Sequence, residues 1–241
     1  MMPLRDTHTD PRHRFPFVNI ALIVLNVIVF LYELSLGRSL EGFIRASAFV
    51  PAEYFQPGNI TSDARSVLVS MFLHGGVMHL VGNMLYLWIF GDNVEDRLGH
   101  VRYLVFYLAC GWGATLAHGF SDPSSTVPSV GASGAIAGVL GAYLLLFPRA
   151  RVLTLVPMGF YTQLRELPAL LVLGFWFVLQ FFSGVLSLGV RQQAGVAWWA
   201  HIGGFAAGFV LVWLLQKPNR RPPARDRWWE GEHRGRRMRG W

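Results

Sequence analysis

The chain has 241 residues, of which 53% are hydrophobic and only 15% are charged. Soluble domains carry about 25% charged residues, so this composition is typical of a membrane protein. The net charge of +7 does not indicate nucleic-acid binding, because nine of the 21 Lys and Arg residues lie after Gln216, outside any apolar segment. A basic tail of this kind is typical of a solvated segment or of a contact with lipid headgroups.

Six apolar segments follow one another along the chain, each long enough for a helix that crosses the hydrocarbon core, which takes about 20 apolar residues. They cover residues 16–36, 67–90, 101–120, 130–147, 167–188 and 195–216. The first follows Arg5, Arg12 and Arg14 and lacks a small-residue cleavage pattern, so we expect a retained anchor rather than a signal peptide. The predicted fold is an all-α membrane protein with a bundle of six transmembrane helices.

The distribution of basic residues predicts the orientation of these helices. With the N-terminus in the cytoplasm, 17 Lys and Arg residues lie on the inner side and four on the outer side. We therefore expect residues 1–15 to form a cytoplasmic N-terminal segment, 16–216 the six-helix domain and 217–241 a disordered basic cytoplasmic tail. The first outer connection, 37–66, contains several apolar residues, and we expect it to lie partly in the interface against the outer leaflet.

Polar side chains gather in the outer layer of the predicted bundle. Ser133 lies in the first turn of the fourth segment, and His201 lies roughly 9 Å below the outer surface in the sixth, at about 1.5 Å per residue. Polar and ionisable side chains are costly to place inside a membrane, so they mark functional sites there more often than in soluble proteins. A serine hydroxyl needs a base to take its proton, and His201 is the best one available. Because we expect no buried Asp or Glu at this depth, the sequence predicts a Ser–His dyad rather than a triad.

Small residues on the same two segments predict close helix packing. Gly134, Gly138 and Gly141 follow the serine, and Gly204 and Gly208 follow the histidine. This spacing allows helix backbones to approach closely enough for side chains to form hydrogen bonds directly. Packing alone would explain the glycines, although not a serine and a histidine at their outer ends.

The second segment carries His79 and Asn83, which are four residues apart and share one helix face. Both can donate hydrogen bonds to a developing oxyanion, although a pair that only ties helices together is the alternative. His74 lies half a rotation from Asn83, and we expect it to be structural. A zinc site is not predicted, since no carboxylate accompanies these histidines in a metalloprotease pattern. The single cysteine, Cys110, is expected to be a packed core thiol.

Three motifs together resemble those of the rhomboid family of intramembrane serine proteases: His74–Asn83, Gly131-Ala132-Ser133-Gly134, and Ala200–Gly204 with Gly208. The resemblance covers the whole six-segment region in order, and it is closest to a bacterial member of the simple six-helix type. It implies cleavage of transmembrane segments of other membrane proteins, with membrane lipids as the surroundings and no cofactor. It also implies a location in the cytoplasmic membrane with the active site open to the outer side.

The resemblance also assigns roles to residues. Ser133 would be the nucleophile and His201 the general base, while His79, Asn83 and the backbone N–H of Ser133 would stabilise the oxyanion. Substrates would enter past the fifth segment, with the loop at 189–194 as a lid. That segment is rich in aromatic residues, namely Phe175, Trp176, Phe177, Phe181 and Phe182.

Two departures from the family pattern stand out. Some members place an aromatic residue four positions after the nucleophile, where this chain has Ala137, and some have a Trp-Arg pair in the first outer loop, which here has no Trp. What orients His201 is therefore open. The alternative function is a catalytically inactive rhomboid-like binding protein. A transporter would show inverted repeats and midplane charges, which the sequence does not.

Overall fold

A computed structural model describes residues 1–7, 14–56, 60–159, 161–187 and 197–216, of which 60–63 are described by their backbone alone. These residues form three strands, a short 3-10 helix at Gly37–Ser39 and nine α-helices. The strands are β1 (Met2–Asp6), β2 (Arg151–Met158) and β3 (Tyr161–Pro168). The helices are α1 (Phe17–Ser35), α2 (Leu40–Ser47), α3 (Pro51–Tyr54), α4 (Ile60–Ser70), α5 (Val77–Leu98), α6 (His100–Ser121), α7 (Ser133–Leu146), α8 (Ala169–Ser187) and α9 (Trp198–Leu215).

Within these described ranges, three helices are long and apolar enough to cross a membrane. They are α1, α8 and α9, with mean hydropathies of 2.3, 2.1 and 1.6. Helices α5 and α6 are longer, at 22 residues each, but carry more polar side chains, and α7 is apolar with 14 residues. The chain is a mostly helical membrane protein.

The predicted second segment, 67–90, is wrong in its boundaries. Helix α4 ends at Ser70, and α5 begins only at Val77 and continues to Leu98. Gly76, with φ of 155°, lies in the break just before α5. Few residues other than glycine adopt this conformation, so the local sequence stops one helix and starts another. His74 therefore lies in the break and not on a helix.

The first outer connection packs partly against protein in the residues that the structure describes. Phe49 and Val50 are buried, and the Phe49 N–H donates to Ser70 Oγ at 2.6 Å. The carbonyl of Phe49 accepts from the N–H of Ser129 at 2.8 Å, so this connection pairs with the loop before α7. These two side chains thus pack within the protein, and the interfacial position of the rest of the connection stays a prediction.

A three-stranded antiparallel sheet was not predicted, and the all-α prediction is wrong in this respect. Strand β1 pairs with β2, with Met2 opposite Leu155, and β2 and β3 form a hairpin. Val152 and Thr154 are buried while Arg151 is exposed, which is the period of two expected for a strand. Asp6 accepts hydrogen bonds from Tyr143 and Asn93, so β1 belongs to the folded domain.

Helix α7 is the centre of the core and packs backbone to backbone against α9. A Cβ on Gly204 would collide with the carbonyl oxygen of Gly134, and one on Gly208 would collide with that of Gly138. On the other side, a Cβ on Gly138 would lie 2.5 Å from the Cβ of Cys110 on α6, which is fully buried. The close packing predicted from the glycines and the core position of Cys110 are both confirmed.

We predict that Gly208→Ala lowers the free energy of unfolding by about 1–3 kcal/mol, because the new methyl group must push α7 and α9 apart. Thermal unfolding in detergent micelles measures the effect. The matched control is Gly174→Ala on α8, since a Cβ at Gly174 has no atom within 4 Å. Equal unfolding temperatures for the two variants would contradict the packing argument.

Candidate active site

The hydroxyl of Ser133 and the imidazole of His201 are in hydrogen-bond contact. Ser133 is the first residue of α7, and His201 lies in the first turn of α9. The Ser133 Oγ and His201 Nε2 atoms are 2.8 Å apart, the distance expected between a nucleophile and its base. This contact follows from the backbone packing of the two helices just below it.

The other nitrogen of the His201 ring also has a partner. His201 Nδ1 lies 2.6 Å from the side-chain oxygen of Gln180, a buried residue of α8. The ring centroids of Trp176 and Trp198 lie 5.7 Å and 6.4 Å from that of His201. These contacts hold the ring where Ala137 offers none. The sequence analysis missed Gln180, although an amide inside the apolar segment 167–188 was a usable signal.

His79 lies beside the loop that precedes the serine. A Cβ built on Gly131 would be 2.8 Å from Cε1 of His79, 3.0 Å from its Nε2 and 3.6 Å from Ser133 Oγ. Gly131 also has φ of 130°, so only glycine fits without strain. The Gly75 N–H donates to His79 Nδ1 at 3.4 Å. In that tautomer Nε2 carries the proton and faces the loop before Ser133.

Asn83 presents a donor that no group in the described part of the chain uses. Its side chain is buried, and its Nδ2 has no hydrogen-bond partner among the described residues. A buried donor left unpaired costs about 1–3 kcal/mol, so this amide is available to a group that enters the site. The Ser133 N–H is likewise one of the first amides of α7, which have no carbonyl in the helix to donate to.

One cavity of about 840 Å³ joins these groups, which is within the range of small-molecule and peptide-side-chain sites. His79, Asn83, Ser133 and His201 all line it. Its remaining wall includes the last residue of α6, polar residues of the loop before α7 and the indoles of α8 and α9: Ser121, Asp122, Ser124, Ser125, Ser129, Trp176, Trp198 and Trp199. The structure thus brings together every side chain predicted for the site.

His74 and Glu33 form a separate contact. The His74 N–H lies 3.2 Å from both carboxylate oxygens of Glu33, and its Nδ1 lies 3.2 Å from the Phe72 carbonyl. His74 is buried, and the centroid of its ring lies 5.3 Å from that of the His79 ring. The expectation that this layer holds no buried carboxylate is wrong for Glu33, but this group bonds to the backbone of His74 and not to His201.

The predicted route past α8 remains a prediction. Phe175, Phe181 and Phe182 are exposed on the outside of that helix, while Trp176 faces the cavity. The predicted lid at 189–194 and the basic tail at 217–241 lie outside the described residues. In the part of the chain that the structure describes, no group of three or more His, Cys, Asp or Glu side chains is arranged to hold a metal ion.

Comparison with known proteins identifies the family. The Rhomboid domain matches residues 61–218, so the chain belongs to the rhomboid family. It is 30% identical over 222 residues to the mitochondrial Rhomboid protein 1 of Saccharomyces cerevisiae, covering 86% of this chain and 57% of that protein. It is 29% identical over 226 residues to RHOMBOID-like protein 1 of Arabidopsis thaliana, covering 83% of this chain and 54% of the relative.

A bacterial relative is also similar. Rhomboid protease GluP of Bacillus subtilis is 36% identical over 152 residues, which cover 63% of this chain and 26% of that protein. The chain thus spans about half or less of the length of the curated relatives it matches.

We predict that Gly131→Ala slows labelling of Ser133 by a fluorophosphonate by about tenfold or more, because the methyl group displaces His79 and the backbone is strained. The rate is measured with the purified protein by gel fluorescence. Gly159→Ala is the matched control: it has a positive φ of 64° as well, but no atom lies within 4 Å of its Cβ. Equal slowing in both variants would contradict a local effect of the methyl group on His79.

Proposed function

We propose that the protein is an intramembrane serine endopeptidase that cleaves transmembrane segments of other membrane proteins. The observation that carries this proposal is the 2.8 Å contact between Ser133 Oγ and His201 Nε2 inside a cavity that also holds His79 and Asn83. The similarity to a relative named as a protease, GluP, supports the same activity.

The reaction follows the usual order of acyl transfer to serine. Ser133 Oγ attacks the peptide carbonyl carbon while His201 Nε2 takes the hydroxyl proton. The oxyanion that forms accepts hydrogen bonds from Asn83 Nδ2, His79 Nε2–H and the Ser133 N–H. His201 then gives its proton to the leaving amine as the C–N bond breaks. A water molecule, deprotonated by His201, hydrolyses the acyl-enzyme and restores both residues.

The proposed arrangement in the membrane uses six spans, namely α1, α5, α6, α7, α8 and α9. It is supported by the hydropathy of three of them and by the excess of basic residues in the inner segments. Both termini then lie in the cytoplasm, and Ser133 and His201 lie near the outer side of a bacterial cytoplasmic membrane. Substrates reach the cavity laterally past α8. Unwound segments are the preferred substrates, because an intact helix hides its carbonyls from attack.

We predict that Ser133→Ala and His201→Ala each abolish cleavage and fluorophosphonate labelling, since neither half of the dyad works alone. The purified variants are incubated with a labelled transmembrane substrate in liposomes, and fragments are resolved by electrophoresis. Ser35→Ala, at the C-terminal end of α1, is the serine control and should retain activity. Cleavage by Ser133→Ala at the wild-type rate would overturn the proposal, and a wild-type protein that neither cleaves nor takes up the label would favour an inactive relative.

We predict that Asn83→Ala lowers kcat by about a hundredfold to a thousandfold with little change in KM, the usual effect of removing one oxyanion donor. Steady-state cleavage kinetics measure both constants. Asn26→Ala is the control, because this buried asparagine of α1 donates to its own helix at Leu22. A change in KM alone would instead assign Asn83 to substrate binding.

A further inference from the structure

We propose that Gln180 is a positioning residue that holds His201 in the tautomer able to accept the Ser133 proton. The proposal rests on the proposed function, and it supplies the third group that the dyad lacks. Gln180 lies on α8, is 8% exposed, and places its side-chain oxygen 2.6 Å from His201 Nδ1.

The two hydrogen bonds of His201 fix the position of its proton. A neutral imidazole has one N–H donor and one acceptor nitrogen. If Nδ1–H donates to the Gln180 oxygen, Nε2 is left as an acceptor for the Ser133 hydroxyl, which is the arrangement a general base needs. The reverse orientation of the amide would donate to Nδ1 and leave an N–H on Nε2, and His201 could then not take the proton.

Few other groups are available for this task. Ala137 is too small to stack on the ring, and Glu33 accepts from the His74 backbone instead. Trp176 and Trp198 limit the tilt of the ring but do not select a tautomer. An amide oxygen does so without bringing a second charge into the membrane, where an ionised carboxylate would lose its hydration at high cost.

The tautomer can be measured directly by NMR of protein labelled with 15N in its histidine rings. The His201 signals are assigned by their loss in His201→Gln. In the wild type we expect Nδ1 protonated and Nε2 unprotonated, whereas in Gln180→Met, which keeps the side-chain length, both tautomers should appear. Protonated Nε2 in the wild type, or an unchanged tautomer in Gln180→Met, would overturn the proposal.

Kinetics supply a second readout that general packing damage would not produce. Gln180→Met should lower kcat by about tenfold to a hundredfold with KM nearly unchanged, the scale of a small misplacement of a catalytic group. Gln180→Glu keeps an acceptor at this position, so it should be faster than Gln180→Met but slower than the wild type, because burial of a carboxylate is costly. Leu179→Met, on the neighbouring and partly exposed position of α8, is the matched control.

The two proposals fail in different ways. A wild-type protein that neither cleaves nor takes up fluorophosphonate contradicts the protease function, while the ring-nitrogen spectra still decide whether Gln180 sets the tautomer. Full activity of Gln180→Met beside an inactive Ser133→Ala contradicts only the role of Gln180.

Discussion

The contact between the backbones of α7 and α9 is the constraint on which the site depends. The carbonyl oxygens of Gly134 and Gly138 occupy the space where side chains would stand at Gly204 and Gly208. In a membrane the hydrophobic effect does not drive helices together, so this close packing must come from van der Waals contact and weak polar interactions. Because the helices touch here, their first turns meet, and the 2.8 Å between the serine and histidine follows from residues that do no chemistry.

The two histidines of the site are each held by a residue outside their own helix. The side-chain oxygen of Gln180 on α8 is hydrogen-bonded to His201 of α9. Gly75, in the break before α5, donates its N–H to His79 Nδ1. Ser70 holds the loop before Ser133 in place. Its carbonyl accepts from the Gly131 N–H, and its hydroxyl accepts from the Phe49 N–H. These contacts with other elements restrict the rotamers of His79 and His201.

The sequence predicted the parts of the fold that depend on local pattern. The serine, the histidine and the glycine stripes could be located because apolar length and small-residue spacing are read within one segment. The pairing of β1 with β2 could not, since it joins residues about 150 positions apart by register alone. The break before α5 was hidden by the apolar residues on both sides of it. Gln180 was visible as a polar residue, but its partner depends on how α8 crosses α9.

The buried carboxylates Glu95 and Glu33 and the buried amide of Asn83 differ in their partners. Glu95 accepts from the N–H groups of Val18 and Asn19 at the start of α1, and Glu33 accepts from the His74 N–H. Both carboxylates satisfy backbone amides that no helix carbonyl reaches, which is a structural task. The Asn83 amide instead has no partner among the residues that the structure describes, and it lines a cavity. A donor that the fold leaves unsatisfied at such a depth costs stability, and a developing charge on a substrate is the partner that would offset it.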